Sequence, residues 1–215
     1  MNLVDELIVA GQQIVAAGLV RGSGGNLSCR LTPDVIAITR SGADLGRLTP
    51  TDFVTVSLAV AEPAASAPAA NRPSSELAMH RAAYQVQPAA QTVLHVHPPQ
   101  AISLGLLGRE LPAITPDFYL HLGSCVPLVP YIPPTTTALA AAVHAALSHR
   151  PAALLQNHGV IVIAQNVAKA MLRLFLLEEH AGIYLSALAA GAPRVLTPQE
   201  QADLDRITEG RYRRD

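Results

Sequence analysis

Residues 92–99 read Thr92-Val93-Leu94-His95-Val96-His97-Pro98-Pro99, an apolar run with two histidines one residue apart and two prolines at its end. In an extended segment residues i and i+2 leave the same face, so both imidazoles aim at one spot. Neither proline can donate to a central ladder, so the strand must stop here, with the pair at the rim of a sheet. Two capped or surface histidines would give the same local pattern. A second apolar run, Leu154-Leu155-Gln156-Asn157-His158-Gly159-Val160-Ile161-Val162-Ile163, carries a third histidine followed by glycine. Three imidazoles from two strands are the minimum set for a catalytic Zn²⁺ that keeps a position open for substrate.

Length and composition narrow the classes. A chain of 215 residues, half of them hydrophobic, reads as one domain over residues 1–215 with a substantial core. The mean hydropathy of +0.29 is high. No charge-free apolar run approaches the ~20 residues of a membrane span, so the surplus points to buried surface and subunit contacts. A net charge of −1 gives no footprint for nucleic acid or a membrane surface. Residues 1–17 carry Asp5 and Glu6 without a basic residue, which fits a helix and not a signal peptide. Two cysteines, Cys29 and Cys125, make no disulfide framework and point to a reducing cytoplasm. Lys169 is the only lysine and falls in a helical pattern among Ala and Leu, which argues against lysine-imine chemistry.

Along the chain, apolar residues at helical spacing predict a helix over 3–17 ending at Gly18. Strands follow over 35–39 and 53–60. The Ala/Pro tract 61–72 reads as a hairpin loop or a mobile excursion. A helix opens at Pro73-Ser74-Ser75-Glu76 and runs to about Gln85. Another helix follows Pro99, then a strand near 126–129 and a helix over 136–148. Residues 153–164 form a strand pair or one long strand, 167–190 the longest helix, and the rest a polar tail. Helices packed around a mostly antiparallel sheet give a three-layer α/β/α sandwich.

Three short polar segments each carry two readings. Pro73-Ser74-Ser75-Glu76 is a helix start, with a serine N-cap and a carboxylate in the first turn. Its functional reading is an anion cradle with a base beside it. Gly24-Gly25-Asn26-Leu27-Ser28 is a turn or a backbone nest for phosphate. Ser41-Gly42 is a third loop of the same kind.

Taken together, and in this order, GGNLS, ITRSG, PSSE, HVH and QNHG between Gly24 and Gly159 make the chain similar to the class II aldolase/adducin-head family. The likeness extends through Pro73-Ser-Ser-Glu-Leu-Ala-Met-His-Arg-Ala-Ala-Tyr84 and weakens after about Leu196. The resemblance implies that His95, His97 and His158 bind one Zn²⁺. It makes Glu76 a fourth group, touching the metal at rest and acting as base when substrate displaces it. Asn26, Ser41, Gly42, Ser74 and Ser75 match the family's phosphate-binding positions. It further implies a C4 homotetramer with sites at subunit interfaces. The substrate would be a phosphorylated sugar, a fuculose-1-phosphate-like ketose 1-phosphate cleaved reversibly to dihydroxyacetone phosphate and an aldehyde. The phosphate would lend remote binding energy, and the metal would stabilise the electron pair released by carbon–carbon cleavage.

The chain departs from that pattern in places. The family's aldolases place a Tyr after an Ile-Pro-Ala-Ile-like segment, which protonates the leaving aldehyde from a neighbouring subunit; this chain has Leu111-Pro112-Ala113-Ile114-Thr115-Pro116 there. Tyr119 is the replacement candidate for this catalytic acid, and Tyr212 a loose match for a tail tyrosine. Arg40 stands where a Pro is common beside the phosphate loop. Pro116 to Gly123 looks more like the sugar-acid phosphate decarboxylase branch. That branch, which would act on a 3-oxo sugar-acid phosphate, carries a Ser-Lys-Thr-like run in place of Ser74-Ser75-Glu76, and the pentulose-phosphate epimerases Ser-Ser-Asp. A carboxylate of glutamate length at 76 favours the aldolase. A non-catalytic adducin-like assembly module would lack the three histidines. Among the others, His80 reads as a partner of the site or a satisfied core residue. His121, His144, His149 and His180 read as surface or helix-end groups, and Glu178 with Glu179 as a solvated or interface face.

Overall fold

The computed structural model describes residues 2–59, 72–209 and 211. The tract expected to form a loop over 61–72 therefore lies, but for Arg72, outside the described residues, as does Tyr212. Helix α1 spans Leu3–Ala16, one residue short of expectation, and starts in a capping box formed by Asn2 and Asp5. Its buried residues Leu7, Ala10, Gly11 and Ile14 recur at helical spacing.

Strands β1 (Asn26–Thr32), β2 (Val35–Thr39) and β3 (Phe53–Ser57) form an antiparallel meander. Helix α2 (Leu77–Val86) crosses to β4 (Thr92–Val96), and α3 (Pro99–Leu106) begins on the second proline after it. Then come β5 (Leu111–Pro112), α4 (Pro116–Leu122), β6 (Cys125–Val126), β7 (Leu128–Val129) and α5 (Thr137–Leu147). The 153–164 segment is a strand pair, β8 (Ala152–Leu155) and β9 (Gly159–Ala164), turning at Asn157 in the left-handed region that Asn tolerates. Helix α6 (Val167–Ala190) has the expected bounds and an Asn166 N-cap.

The polar tail is structured after all. Thr197-Pro198-Gln199-Glu200 forms a capping box that starts α7 (Pro198–Thr208). That Thr-x-x-Glu signature was legible, but the weak apolar pattern behind it hid the helix.

The central sheet has seven strands in the order β3-β2-β1-β4-β9-β8-β7, and only β7 and β8 run parallel. Alternation along the strands builds two cores. Leu27, Leu94, Val96, Val160 and Val162 face α1, α3, α4 and α6, while Ile36, Ile38, Val93, Ile161 and Ile163 face α2 and α5. The result is the three-layer sandwich expected from the sequence. The antiparallel pairing also gathers the N-terminal ends of β1 and β9 and the C-terminal ends of β2, β4 and β8 at one edge.

Candidate metal centre

At that edge β4 ends on its two histidines, and the Pro98-Pro99 stop leaves His97 free of the sheet, with its N–H donated to Leu19 O at 3.1 Å. His158 sits in the β8–β9 turn, and β9 pairs with β4 from Val160↔Val96 onward. The rings of His95 and His97 lie 4.9 Å apart, and those of His95 and His158 4.7 Å. One ligand atom from each of the three histidines falls within 4.8 Å of the others. Three imidazoles from two adjacent strands thus converge as the sequence pattern predicts.

Glu76 enters from α2's first turn. Its Oε2 lies 3.0 Å from His95 Nε2 and its Oε1 3.3 Å from His158 Nε2. Neither serine caps α2 in the ordinary sense. Instead Ser74 Oγ accepts from the Glu76 N–H and Ser74 O from the Leu77 N–H, a turn that sets the carboxylate toward the sheet.

The donor chemistry fits a cation. His95 Nδ1 faces the Val160 carbonyl at 2.8 Å and must donate to it, so Nε2 is the ring atom turned to the cluster. That nitrogen faces Glu76 Oε2 at 3.0 Å and His97 Nε2 at 3.1 Å. Electron-rich atoms this close are stable only around a shared proton or a metal ion. Glu76 Oε1 is buried and makes no hydrogen bond within the described residues, as expected of an oxygen reserved for a metal or a substrate proton. Imidazoles and a carboxylate are a normal zinc donor set.

The electrostatics agree. Burial alone would raise the Glu76 carboxyl, but the hydrogen bond and charge of His95, the Asn26 amide and the charge of His158 hold it far below the usual carboxylate range. Burial, helped by the charges of His95 and His158 against the pull of Glu76, pushes His97 down to about 4. Burial also lowers His158. In both rings burial disfavours the charged form.

The other segments singled out in the sequence adjoin this cluster. Ser41 N–H donates to Arg72 O, and Ser74 N–H to Thr39 O, so the loop after β2 and the Ser74-Ser75 turn lie side by side. Asn26 opposes His95 across the β1–β4 ladder. Ser41, Gly42 and Ser75 are exposed, while Asn26 and Ser74 are buried. The Asn26 amide donates to Glu76 Oε2 at 2.9 Å. Arg40, the departure beside this loop, is tied to Asp52 at 2.8 Å.

Tyr119 is not brought to the centre. It is 4 % exposed in the core on the α1, α3, α4 and α6 side, and its hydroxyl donates to Asp205 Oδ2 at 2.8 Å. Two further readings change. His180 is buried, bonded to Thr115 Oγ1 and Leu176 O. Glu178 is not a solvated face residue: its two oxygens accept the Gln100 and Ala101 N–H groups at 2.9 Å each, capping α3 just beyond His97.

The sequence left His80 between two readings, and the structure gives it both. It is fully buried and bonded to Asn26 Oδ1 and Ser28 Oγ, with Tyr84 OH on the far side of Ser28. A signal for this was present. Asn26 and Ser28 are two apart on a strand, and His80 and Tyr84 four apart on a helix, so each pair shares a face.

The sheet order, the histidine triad with its carboxylate, and the adjacent polar loops define a class of protein. The chain belongs to the class II aldolase and adducin family: residues 5–185 match the family described as Class II Aldolase and Adducin N-terminal domain. It is 33% identical over 211 residues to the 5-deoxy-D-ribulose 1-phosphate aldolase of Bacillus thuringiensis serovar kurstaki, covering 96% of this chain and 95% of that one. Among solved structures it is similar to an L-fuculose 1-phosphate aldolase, with a TM-score of 0.85, 31% identity and 96% of each chain covered. It is also 32% identical over 192 residues to a 3-oxo-tetronate 4-phosphate decarboxylase of Cupriavidus necator, covering 86% of this chain and 84% of that protein. Among the described residues no helix is long and apolar enough to cross a membrane.

Proposed function

We propose that the chain is a zinc-dependent lyase that reversibly cleaves a ketose 1-phosphate to dihydroxyacetone phosphate and an aldehyde. The observation that carries this reading is the Glu76 carboxylate, 3.0 Å and 3.3 Å from two imidazoles of the triad, with one oxygen free of hydrogen bonds. His95, His97 and His158 would hold the metal, with Glu76 beside them. Bound zinc would act as a Lewis acid on the substrate's carbonyl and neighbouring hydroxyl oxygens.

The chain's own groups supply the rest. The hydroxyls of Ser41, Ser74 and Ser75, the Gly42 N–H and the Asn26 amide would supply hydrogen-bond donors beside Glu76. They would hold the phosphate and place the reacting carbons. In the synthetic direction Glu76 takes a proton from the hydroxymethyl carbon of dihydroxyacetone phosphate. The electron pair left on that carbon forms the new bond to the aldehyde carbon, and the aldehyde oxygen takes a proton from solvent. In cleavage the bond breaks toward the same carbon and Glu76 returns the proton. The depressed carboxyl of Glu76 keeps it ionised as the resting base.

Assembly as a homotetramer with shared sites is part of this proposal. The exposed Leu172, Phe175 and Ile183 on α6 support a covered apolar face.

A decarboxylase of a 3-oxo sugar-acid phosphate is the second reading, supported by the Cupriavidus relative and by Tyr119, whose hydroxyl Asp205 occupies. Proton exchange separates the two. NMR of dihydroxyacetone phosphate in D₂O should show stereospecific loss of one hydroxymethyl proton that depends on added Zn²⁺. A zinc-loaded protein that catalyses no exchange would overturn the aldolase reading and favour the decarboxylase.

A further inference from the structure

The hydrogen bonds behind Glu76 run in one direction, and that direction can be deduced atom by atom. An ionised carboxylate only accepts, so the Asn26 atom 2.9 Å from Glu76 Oε2 is the amide nitrogen. Asn26 Oδ1 therefore faces His80 Nε2, at 2.6 Å, and His80 must carry its proton on Nε2. The ring is completely buried, and burial pushes it down to about 3, so it is neutral and Nδ1 is bare. Ser28 then donates its hydroxyl to Nδ1 at 2.7 Å and accepts from Tyr84 OH at 2.9 Å. Tyr84 keeps its proton, since burial raises its phenol well above the ordinary value. Every polar atom from Tyr84 to Asn26 Oδ1 has a partner, and none is shared with solvent.

A fully paired buried network has one low-energy arrangement, because reversing any member sets two acceptors or two donors face to face. A flipped Asn26 amide would set Oδ1 against the Glu76 carboxylate and its N–H groups against the His80 Nε2–H. The network thus selects between the two oxygens of Glu76. Oε2 is occupied by the Asn26 N–H, whereas Oε1 has no hydrogen bond.

We infer that His80 is a positioning residue: through Asn26 it fixes Glu76 so that Oε1, on the His158 side, is the oxygen that takes and returns the substrate proton. This rests on Glu76 being the base. His80 touches neither the carboxylate side chain nor the triad's ligand atoms in the hydrogen bonds described, so its influence must pass through the Asn26 amide.

The test pairs variants with a direct view of the ring. His80→Phe keeps an aromatic ring but removes both nitrogens, and His80→Gln restores a donor toward Asn26. Both would be compared with Glu76→Gln for zinc content, melting temperature and kcat and KM of dihydroxyacetone phosphate proton exchange. His80→Phe should lower kcat by roughly 10- to 100-fold, the usual scale for losing a group that orients a reactive residue, at unchanged zinc content and KM. His80→Gln should recover most of that loss. In an Asn26→Ala background His80→Phe should add less than about twofold, since the two then remove one interaction. Full exchange in His80→Phe while Glu76→Gln is inactive would overturn the inference.

Imidazole ¹⁵N NMR of the unsubstituted, metal-free protein needs no variant to fold. It should show one neutral ring protonated at Nε2, assigned to His80 by the ring's proximity, across the Ser28 hydroxyl, to Tyr84. A ring protonated at Nδ1 would overturn the inference just as firmly. Retention of exchange by Glu76→Gln would instead remove the base assignment, leaving the tautomer to judge the Asn26 orientation by itself.

Discussion

Gly159, the residue after the third histidine, is where a single methyl group should disturb the centre without touching a ligand. A Cβ built there would lie 2.4 Å from Val96 O and 2.6 Å from His97 Cδ2. Non-bonded carbon contacts are comfortable only at about 3.5–4.0 Å, so β9 must withdraw from β4 by roughly 1 Å or His97 must swing away. Overpacking of this kind costs about 1–3 kcal/mol, which for a chain of this size is a fall in Tm of roughly 2–12 °C. The metal should feel it more sharply, because ligand distances tolerate only about ±0.2 Å. Gly159→Ala should therefore weaken zinc binding by at least about tenfold in a competition titration. Gly42→Ala is the control. Its φ of +73° strains any L side chain by about 1–2 kcal/mol, yet no heavy atom lies within 4 Å of the added methyl. It should lower Tm modestly and leave zinc affinity alone. A Gly159→Ala protein that binds zinc as tightly as its parent would refute the claim that close approach at β4 sets the His97 position.

Three further outcomes follow from the same geometry. Glu76→Gln should retain zinc while proton exchange falls by roughly 10²- to 10⁴-fold, the usual worth of a positioned general base; full exchange would remove Glu76 from that role. Tyr119→Phe loses a buried hydrogen bond to Asp205 and should cost about 1–2 kcal/mol, read as a fall in Tm of a few degrees, with cleavage unaffected. Cleavage reduced by more than about tenfold at unchanged Tm would make Tyr119 the proton donor after all. Glu178→Ala strips the Gln100 and Ala101 N–H groups of their acceptor and should destabilise by about 1–2 kcal/mol in a urea melt. An unchanged midpoint would show that α3 needs no cap from α6.

How much of this was legible in the sequence depends on how local each feature is. The β4 histidines were readable because period-2 alternation and a double proline fix both direction and position within eight residues. The 153–164 stretch left one strand or two open, and only the left-handed Asn157 in the structure makes it a turn. Phe53–Ser57 stops short of the predicted 53–60 because a run of Ser, Leu and Ala does not itself mark a strand end. The α7 helix was missed because an amphipathic stripe is weak in so polar a segment, although its capping box was in plain sight. Glu178 could not be read at all. Its partners are backbone amides nearly 80 positions away, and a carboxylate that caps a distant helix has the same sequence signature as one in water.

The burial of Tyr119 has a different physical origin. A tyrosine two or three residues from a lost position can take over its role only if the backbone can turn it toward the same space. Here Pro116 opens α4 instead, with Thr115 as the N-cap, and helical spacing then carries both Phe118 and Tyr119 into the core. Replacing the tyrosine by proline thus exchanges a side chain for a helix start, and the aromatic that follows is committed to packing. The serine-glutamate turn shows the opposite case. Its capping and catalytic readings looked exclusive in the sequence, yet the hydrogen bond from the Glu76 N–H to Ser74 Oγ is what directs the carboxylate at His95 and His158. A helix start is a rigid mount as well as a polar one, so the N-cap residue of α2 is well placed to be the proposed base.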